Sequence, residues 1–110
     1  MRTVIALGHD GMGHGDADLG RRILGTFLRK TPALNKLSAV VLFNSGVRLA
    51  VEGSPLLAEL HQLYEAGVDV KPCGTCLDHF GLRAKLAVGH VSNMDEIVDE
   101  LNKAEKVITL

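Results

Sequence analysis

Both cysteines of the chain lie in one short segment, Cys73-Gly74-Thr75-Cys76, directly after the apolar residues 68–70. A thiolate is a nucleophile, a metal ligand and a carrier of sulfur, so this segment offers several kinds of chemistry. The pattern predicts a strand that leads into the cysteines and a short helix with a capping box made by Thr75 and Asp78. Gly81 is expected to end that helix. Because a helix N-terminus favours negative charge, we expect it to lower the pKa of the nearby thiols.

Strands and helices alternate along the rest of the chain. Apolar runs predict strands at Thr3–Leu7, Leu37–Phe43, Val68–Pro72, Leu86–Val91 and Lys106–Leu110. Helical periodicity predicts helices at Asp16–Arg29, from Ser54-Pro55 to Gly67, and from a capping box of Asn93 and Glu96 to Lys103. The first helix is expected to bury Leu19, Ile23, Leu24, Phe27 and Leu28. This alternation predicts an α/β fold, a three-layer α/β/α sandwich with a mainly parallel five-stranded sheet.

The carboxyl ends of the predicted strands carry the candidate site. In open parallel sheets, ligands bind beyond those ends. We therefore expect Cys73 and Cys76 to be catalytic and a set of neighbouring polar residues to bind substrate. That set is His9, Asp10, Asn44, Ser45, Gly74, Thr75, His79 and His90. As a cation beside the cysteines, His79 would lower a thiol pKa.

Composition restricts the class of protein. The chain has 110 residues, of which 46% are hydrophobic and 23% charged, which is typical of one globular domain spanning residues 1–110. A net charge of −1 gives no basic surface for nucleic acid, and the apolar runs are shorter than the roughly 20 residues of a membrane span. We expect no membrane association. Two cysteines do not form a disulfide scaffold, which favours a cytoplasmic location.

The glycine-rich loop after the first strand does not fit a nucleotide site. Gly13-His14-Gly15-Asp16 has an acid where a phosphate-binding loop needs Lys and Ser or Thr, and Asp16 also replaces the last glycine of the dinucleotide fingerprint. His9 and His14 with the neighbouring aspartates could be imagined as a metal site, but a solvated turn is the simpler interpretation. We expect no cofactor and no bound metal.

The segment Cys73–Leu82 resembles the cysteine motif of the DsrE/DsrF-like sulfur-relay family. The start of the first helix, Gly13–Gly20, is similar to that family as well. Asn44-Ser45-Gly46-Val47, the following Glu52-Gly53-Ser54, and Asn93-Met94 resemble the YedF-type branch that is associated with selenium metabolism. The resemblance implies a DsrE-like fold, homo-oligomers, sulfur donor and acceptor proteins as partners, and a cysteine that carries sulfur as a persulfide.

Two departures from the family pattern are visible. YedF-type proteins usually have a TusA-like domain ahead of the DsrE-like domain, and this sequence shows none. Sulfur-relay relatives often have Arg-Gly where this chain has Phe80-Gly81. The missing charge leaves open whether sulfur passes to the same acceptors.

Several functions remain compatible with the cysteine pair. In the first, Cys73 carries sulfur or selenium as the more reactive thiol, and Cys76 resolves the persulfide or tunes its neighbour; the ordering follows the family match. In the second, the pair is a thioredoxin-like redox centre. In the third, it is half of a zinc site completed by His79, His90 or a second subunit. In the last, both thiols are inert and the protein is an oligomeric binding or scaffold subunit.

Overall fold

A four-stranded, fully parallel sheet forms the centre of the molecule. The computed structural model describes residues 2–34 and 36–110. The strands are β1 (Thr3–Leu7), β2 (Leu37–Leu42), β3 (Asp69–Pro72) and β4 (Lys106–Thr109), in the order β3-β2-β1-β4. All three neighbouring pairs are parallel, so the carboxyl ends of the strands share one edge of the sheet.

Helices flank the sheet. They are α1 (Ala17–Lys30), α2 (Leu57–Glu65), α3 (Gly74–His79) and α4 (Met94–Lys103), joined in part by 3₁₀ segments at Thr31–Ala33, Asn44–Ala50 and Arg83–Lys85. Right-handed crossovers place α1 and α2 on one face and α4 on the other, because the strand order reverses direction after β3. The predicted α/β/α sandwich is confirmed.

The core explains why the strands have nearly unbroken apolar sequences. Every residue of β1 is buried, and so are the last four residues of β2. Layers cover both faces of these two strands, so side chains pointing either way must be apolar. Leu24, Leu60 and Ile97 bring the helices onto the sheet as fully buried side chains.

The strand predicted at Leu86–Val91, the fourth of the five predicted strands, is wrong. This segment makes only isolated bridges, one between Leu86 and Val51 and one between Ser92 and Cys73. Gly89 interrupts the pairing because it has a φ of +79°. A side chain there would collide with the carbonyl oxygen of Val70, so the segment follows the edge of β3 without becoming a strand.

Two of the predicted helix starts, those of α1 and α4, are confirmed, whereas α2 starts later than predicted. Asp16 caps α1 by accepting the Leu19 N–H at 2.7 Å, and Asn93 caps α4 by accepting the Glu96 N–H at 2.8 Å, as expected. Helix α2 begins at Leu57, later than Ser54-Pro55 indicated. The Ser54 hydroxyl instead accepts the Leu56 N–H at 3.2 Å in the preceding turn.

The predicted buried face of α1 needs a correction. Leu19 and Ile23 are 53% and 41% exposed. The helix packs instead through Gly20, Gly25 and larger residues near them, since Gly20 lies against the backbone of the first loop and Gly25 against Leu56. Close approach at the glycines rotates the other two side chains towards solvent.

Within the described ranges, the structure has no helix with the length and apolar character needed to cross a membrane.

Candidate functional site

The turn between β3 and α3 places both cysteines at the carboxyl edge of the sheet. Cys73 is the N-cap of α3, with extended backbone angles, and no side chain caps this helix. The predicted cap at Thr75 is therefore wrong. Helix α3 can start earlier because the Gly74 N–H donates to the Ser92 carbonyl at 2.8 Å, and that bond replaces a capping side chain. Gly81, with a φ of +66°, follows the end of the helix as predicted.

Cys73 is enclosed. Its backbone N–H donates to the Leu42 carbonyl at 2.8 Å, which continues the pairing of β3 with β2 past the end of the strand. The residue is 3% exposed and belongs to the hydrophobic core. Its thiol is free. In this position Cys73 meets neighbouring side chains far more than solvent.

Cys76 lies one helical turn later and is only partly buried. Its Sγ accepts the backbone N–H of Asn44 at 3.1 Å. Asn44 can aim this N–H at the sulfur because its φ is +50°, a left-handed conformation that asparagine tolerates better than most residues. The segment after β2 therefore supplies a hydrogen-bond donor to a thiol on α3.

Burial raises the pKa of the Cys76 thiol above its ordinary value. The Asn44 N–H acts in the opposite direction, since it favours the thiolate, while the neighbouring Cys73 thiol raises the pKa further. At Cys76 the expected lowering of the pKa by the helix end is not found. Desolvation and the neighbouring Cys73 thiol together outweigh the single donor.

A cavity of about 270 Å³ opens beside Cys76. It is lined by Asn44, Thr75, Cys76, His79 and Phe80. The ring of His79 meets the ring of Phe80 edge-on, with centroids 5.1 Å apart. Three of the predicted substrate-binding residues thus surround a candidate catalytic thiol. The volume suits a small chemical group.

His9 and Asp10 lie in a second, smaller depression of about 140 Å³ in the loop after β1. The depression also contains His14 and Asp16, and the rings of His9 and His14 stack with centroids 5.7 Å apart. Among the residues that the structure describes, no group of three or more His, Cys, Asp or Glu is arranged to hold a metal ion. The absence of bound zinc stays a prediction.

Two contacts connect this depression with the cavity. The Asp10 N–H donates to the Ser45 hydroxyl at 3.2 Å, and the Asp10 carboxylate lies 3.8 Å from the Arg48 guanidinium. Arg48 in turn stacks on Phe80, with Cζ 4.4 Å from the ring centroid. Ser45 therefore organises the region from outside the cavity lining.

Gly74 and His90 have roles other than lining the cavity. Gly74 is buried against Ser92 and the Arg83 side chain, where a larger residue would collide. His90 is exposed, and its backbone N–H donates to the Val70 carbonyl at 3.3 Å. Neither is among the cavity-lining residues.

Two residues were missed as parts of the site. From the sequence, Phe80 indicated only the loss of a charge that relatives often have at this position. An aromatic residue one turn after Cys76 on a short helix is nevertheless a signal for a cavity wall. Arg48 had no such signal, because it lies in a 3₁₀ segment and is brought to Phe80 by tertiary packing alone.

Comparisons with known proteins agree on the fold. The sequence profile of the DsrE/DsrF-like family matches residues 1–110. No curated protein matches the chain. The ychN protein from E. coli is 19% identical, with a TM-score of 0.71 and 100% of both chains covered. MTH1491 from Methanobacterium thermoautotrophicum, a protein of unknown function, is 20% identical, with a TM-score of 0.73 and 99% and 98% covered. BT1422 from Bacteroides thetaiotaomicron is 16% identical, with a TM-score of 0.71 and 99% and 94% covered.

Proposed function

The chain belongs to the DsrE/DsrF-like family, and on that premise we propose that it carries sulfur as a persulfide on the pair of Cys73 and Cys76. Cys76 is the thiol that takes up the sulfur. The observation behind this choice is its position, since Cys76 lines an open cavity and accepts the Asn44 N–H, whereas Cys73 is 3% exposed. The assignment of the reactive thiol to Cys73, which followed the family resemblance, stays a prediction that the same experiment tests.

The uptake step needs no cofactor. The Cys76 thiolate attacks the outer sulfur of a donor persulfide, R–S–SH, and the donor's S–S bond breaks as the new one forms. Cys76 then holds –S–SH, and the donor leaves as a thiolate that takes up a proton. Asn44 stabilises negative charge at the Cys76 sulfur through its N–H. Delivery to an acceptor is the same exchange in reverse, with the acceptor's thiolate attacking the outer sulfur.

Cys73 gives the persulfide a second outcome. Cys73 is the N-cap of α3 and Cys76 is three residues further along, a spacing at which two cysteines are in general close enough to form a disulfide. Attack by the Cys73 thiolate on the inner sulfur of the Cys76 persulfide forms the Cys73–Cys76 disulfide and releases hydrosulfide. This step begins from the reduced pair, with both thiols free as in the structure.

The finer parts of the proposal follow the YedF-type resemblance. They are a role for selenium in place of sulfur, donor and acceptor proteins as partners, a cytoplasmic location and a homo-oligomeric protein. Asn44 and Ser45 support the branch assignment because both of these residues of the resembling segment contribute to the site, one as a donor to Cys76 and one as an acceptor for Asp10.

A thiol-redox function is the second candidate, and the short spacing of two free cysteines favours it. The two functions differ in what the protein gains. A carrier gains one sulfur atom and keeps the same number of S–H groups, because the persulfide replaces the thiol; a redox protein loses two hydrogens and gains no sulfur.

Intact-mass spectrometry tests the proposal. Reduced protein is incubated with a cysteine desulfurase and cysteine, and the wild type is expected to gain one sulfur atom. Cys76→Ser should gain none, and Cys73→Ser should still gain one but release no hydrosulfide. Loss of loading in Cys73→Ser alone would restore the family-based assignment. Formation of the disulfide in the wild type without release of hydrosulfide, together with no gain of sulfur in Cys73→Ser, would favour the redox function.

A further inference from the structure

Arg48 contacts a residue of the wall of the Cys76 cavity. It belongs to the 3₁₀ segment that begins with Asn44, and its guanidinium carbon lies 4.4 Å from the centroid of the Phe80 ring. Phe80 is part of the cavity wall. The Arg48 side chain is 51% exposed, so its charge is accessible to solvent beside Phe80 and the cavity wall.

The other arginine beside α3 is already occupied. Arg83 makes two hydrogen bonds to the Asp78 carboxylate, at 2.7 Å and 3.0 Å, in the two-pronged geometry that guanidinium and carboxylate prefer. The same contact lowers the pKa of Asp78, so both charges are held in a neutral pair. Arg83 therefore has little capacity left for a second anion.

Arg48 is held more loosely. Its contact with Asp10 is a single approach of 3.8 Å, longer than a good charge-assisted hydrogen bond. A guanidinium has five N–H donors, and stacking on Phe80 uses none of them. Asp10 is also shared, because His9 Nδ1 lies 3.5 Å from its carboxylate. Donors of Arg48 remain free to meet another anion.

We infer that Arg48 is a positioning residue that selects sulfur donors bearing a carboxylate and holds them beside Cys76. The inference rests on the proposed function. Uptake brings a thiolate and a sulfur donor together and releases a second thiolate. Within residues 2–34 and 36–110, the Asn44 N–H is the hydrogen-bond donor seen on the Cys76 sulfur. A cation beside the cavity wall lowers the electrostatic cost of bringing a negatively charged donor to that sulfur. Neutral or cationic donors gain nothing from it.

The test compares alkylation of Cys76 by iodoacetate and by iodoacetamide, which are similar in size but differ in charge. The ratio of the two rates cancels changes in the thiol itself, so it reports attraction of the anion. For Arg48→Gln we expect this ratio to fall roughly fivefold at low salt. Arg48→Lys keeps the charge and should keep most of the ratio.

Lys30→Gln is the matched control. It removes one exposed positive charge at the far end of α1, at the opposite edge of the sheet, and should leave the ratio unchanged. The inference is overturned if Arg48→Gln leaves the ratio unchanged, if Lys30→Gln changes it as much, or if Arg48→Lys loses as much as Arg48→Gln.

Persulfide donors separate this inference from the proposed function. Glutathione persulfide carries carboxylates, whereas cysteamine persulfide carries an ammonium group. Arg48→Gln should slow sulfur transfer from the first donor and should not slow transfer from the second, because its ammonium group gains no attraction from Arg48. If the alkylation ratio responds to Arg48→Gln but neither donor loads the wild type, anion recognition stands and the sulfur-carrier function fails. Equal slowing with both donors would mean that Arg48 acts on the fold, which contradicts the inference.

Discussion

Strand β3 lies between two polar sites, and the central groups of the two sites differ in their number of hydrogen-bond partners. One site is an ion cluster to which β3 contributes Lys71. In this cluster the buried carboxylate of Glu100 accepts two hydrogen bonds from Arg2, at 2.8 Å and 2.7 Å, and one from Lys71 at 3.5 Å. Just after the strand, the Cys76 sulfur has one backbone donor and an open cavity. The buried carboxylate of Glu100 is paired with two cations, whereas the Cys76 thiol has one donor and faces a cavity, which leaves it available for chemistry.

The largest effect is expected from breaking the ion cluster. Glu100→Ala leaves Arg2 and Lys71 without their buried counter-ion and should lower the free energy of unfolding by roughly 3 kcal/mol. Urea denaturation measures this loss. Glu65→Ala, which removes an exposed carboxylate from α2, should change stability by less than about 0.5 kcal/mol. The Cys76 alkylation rate of the folded Glu100→Ala protein should match the wild type, and a large change would contradict the separation of the two sites.

The second prediction is that the protein assembles into oligomers without covering the Cys76 cavity. Exposed apolar side chains on α1 and α4, among them Leu19, Ile23 and Val98, are consistent with the proposed homo-oligomer. We expect light scattering to give a mass above that of one chain, while the alkylation rate of Cys76 stays independent of protein concentration. A monomer at all working concentrations contradicts the first expectation. A rate that falls as the protein assembles would show that the cavity is covered.

The third prediction concerns how the stability of the folded protein depends on pH through the Cys76 thiol. Because the folded-state pKa of Cys76 is raised, the protonated thiol contributes stability that is present below the ordinary thiol pKa near 9.0. That contribution is lost as the pH rises through the folded-state pKa. Urea midpoints of the wild type should therefore decline in this alkaline range more steeply than those of Cys76→Ala. Parallel curves for the two proteins would contradict the direction of the shift.

The smallest effect is expected at Asn44. Asn44→Gly keeps the backbone N–H and the left-handed conformation, so stability should change by less than about 0.5 kcal/mol and the Cys76 alkylation rate should stay the same. Asn44→Ala should cost roughly 1 kcal/mol because alanine tolerates a φ of +50° poorly. Denaturation and alkylation of both variants provide the measurements. If the glycine variant alters the rate, the Asn44 side chain, and not its backbone, controls the thiol.

Local sequence signals predicted most of the fold. Asp16 and Asn93 mark helix starts through side-chain capping, and the apolar runs of β1 and β2 reflect a sheet covered on both faces. The wrong predictions occurred where contacts between residues far apart in the sequence determine the local structure. Gly89 could be recognised as a strand breaker only once Val70 was known to lie against it, and the bond from Gly74 to Ser92 displaced the predicted cap at Thr75.

The site was predicted in part for the same reason. The position of the cysteines at the sheet edge followed from the order of strands and helices, and the structure brings Asn44, Thr75 and His79 together around Cys76. Which thiol faces the cavity depends on how α3 packs against the segment after β2. That packing depends on the left-handed Asn44 and on the contact between Arg48 and Phe80, neither of which a local pattern encodes.

The central claim is that sulfur enters at Cys76, and locating the added sulfur tests it most directly. Wild-type protein is loaded with glutathione persulfide to well under one sulfur per chain, and fragment-ion mass spectrometry of the peptide with both cysteines assigns the extra mass. We predict that the sulfur is on Cys76 at the earliest times. Sulfur found first on Cys73, with Cys76 unmodified, would contradict the account and return the carrier role to the buried thiol.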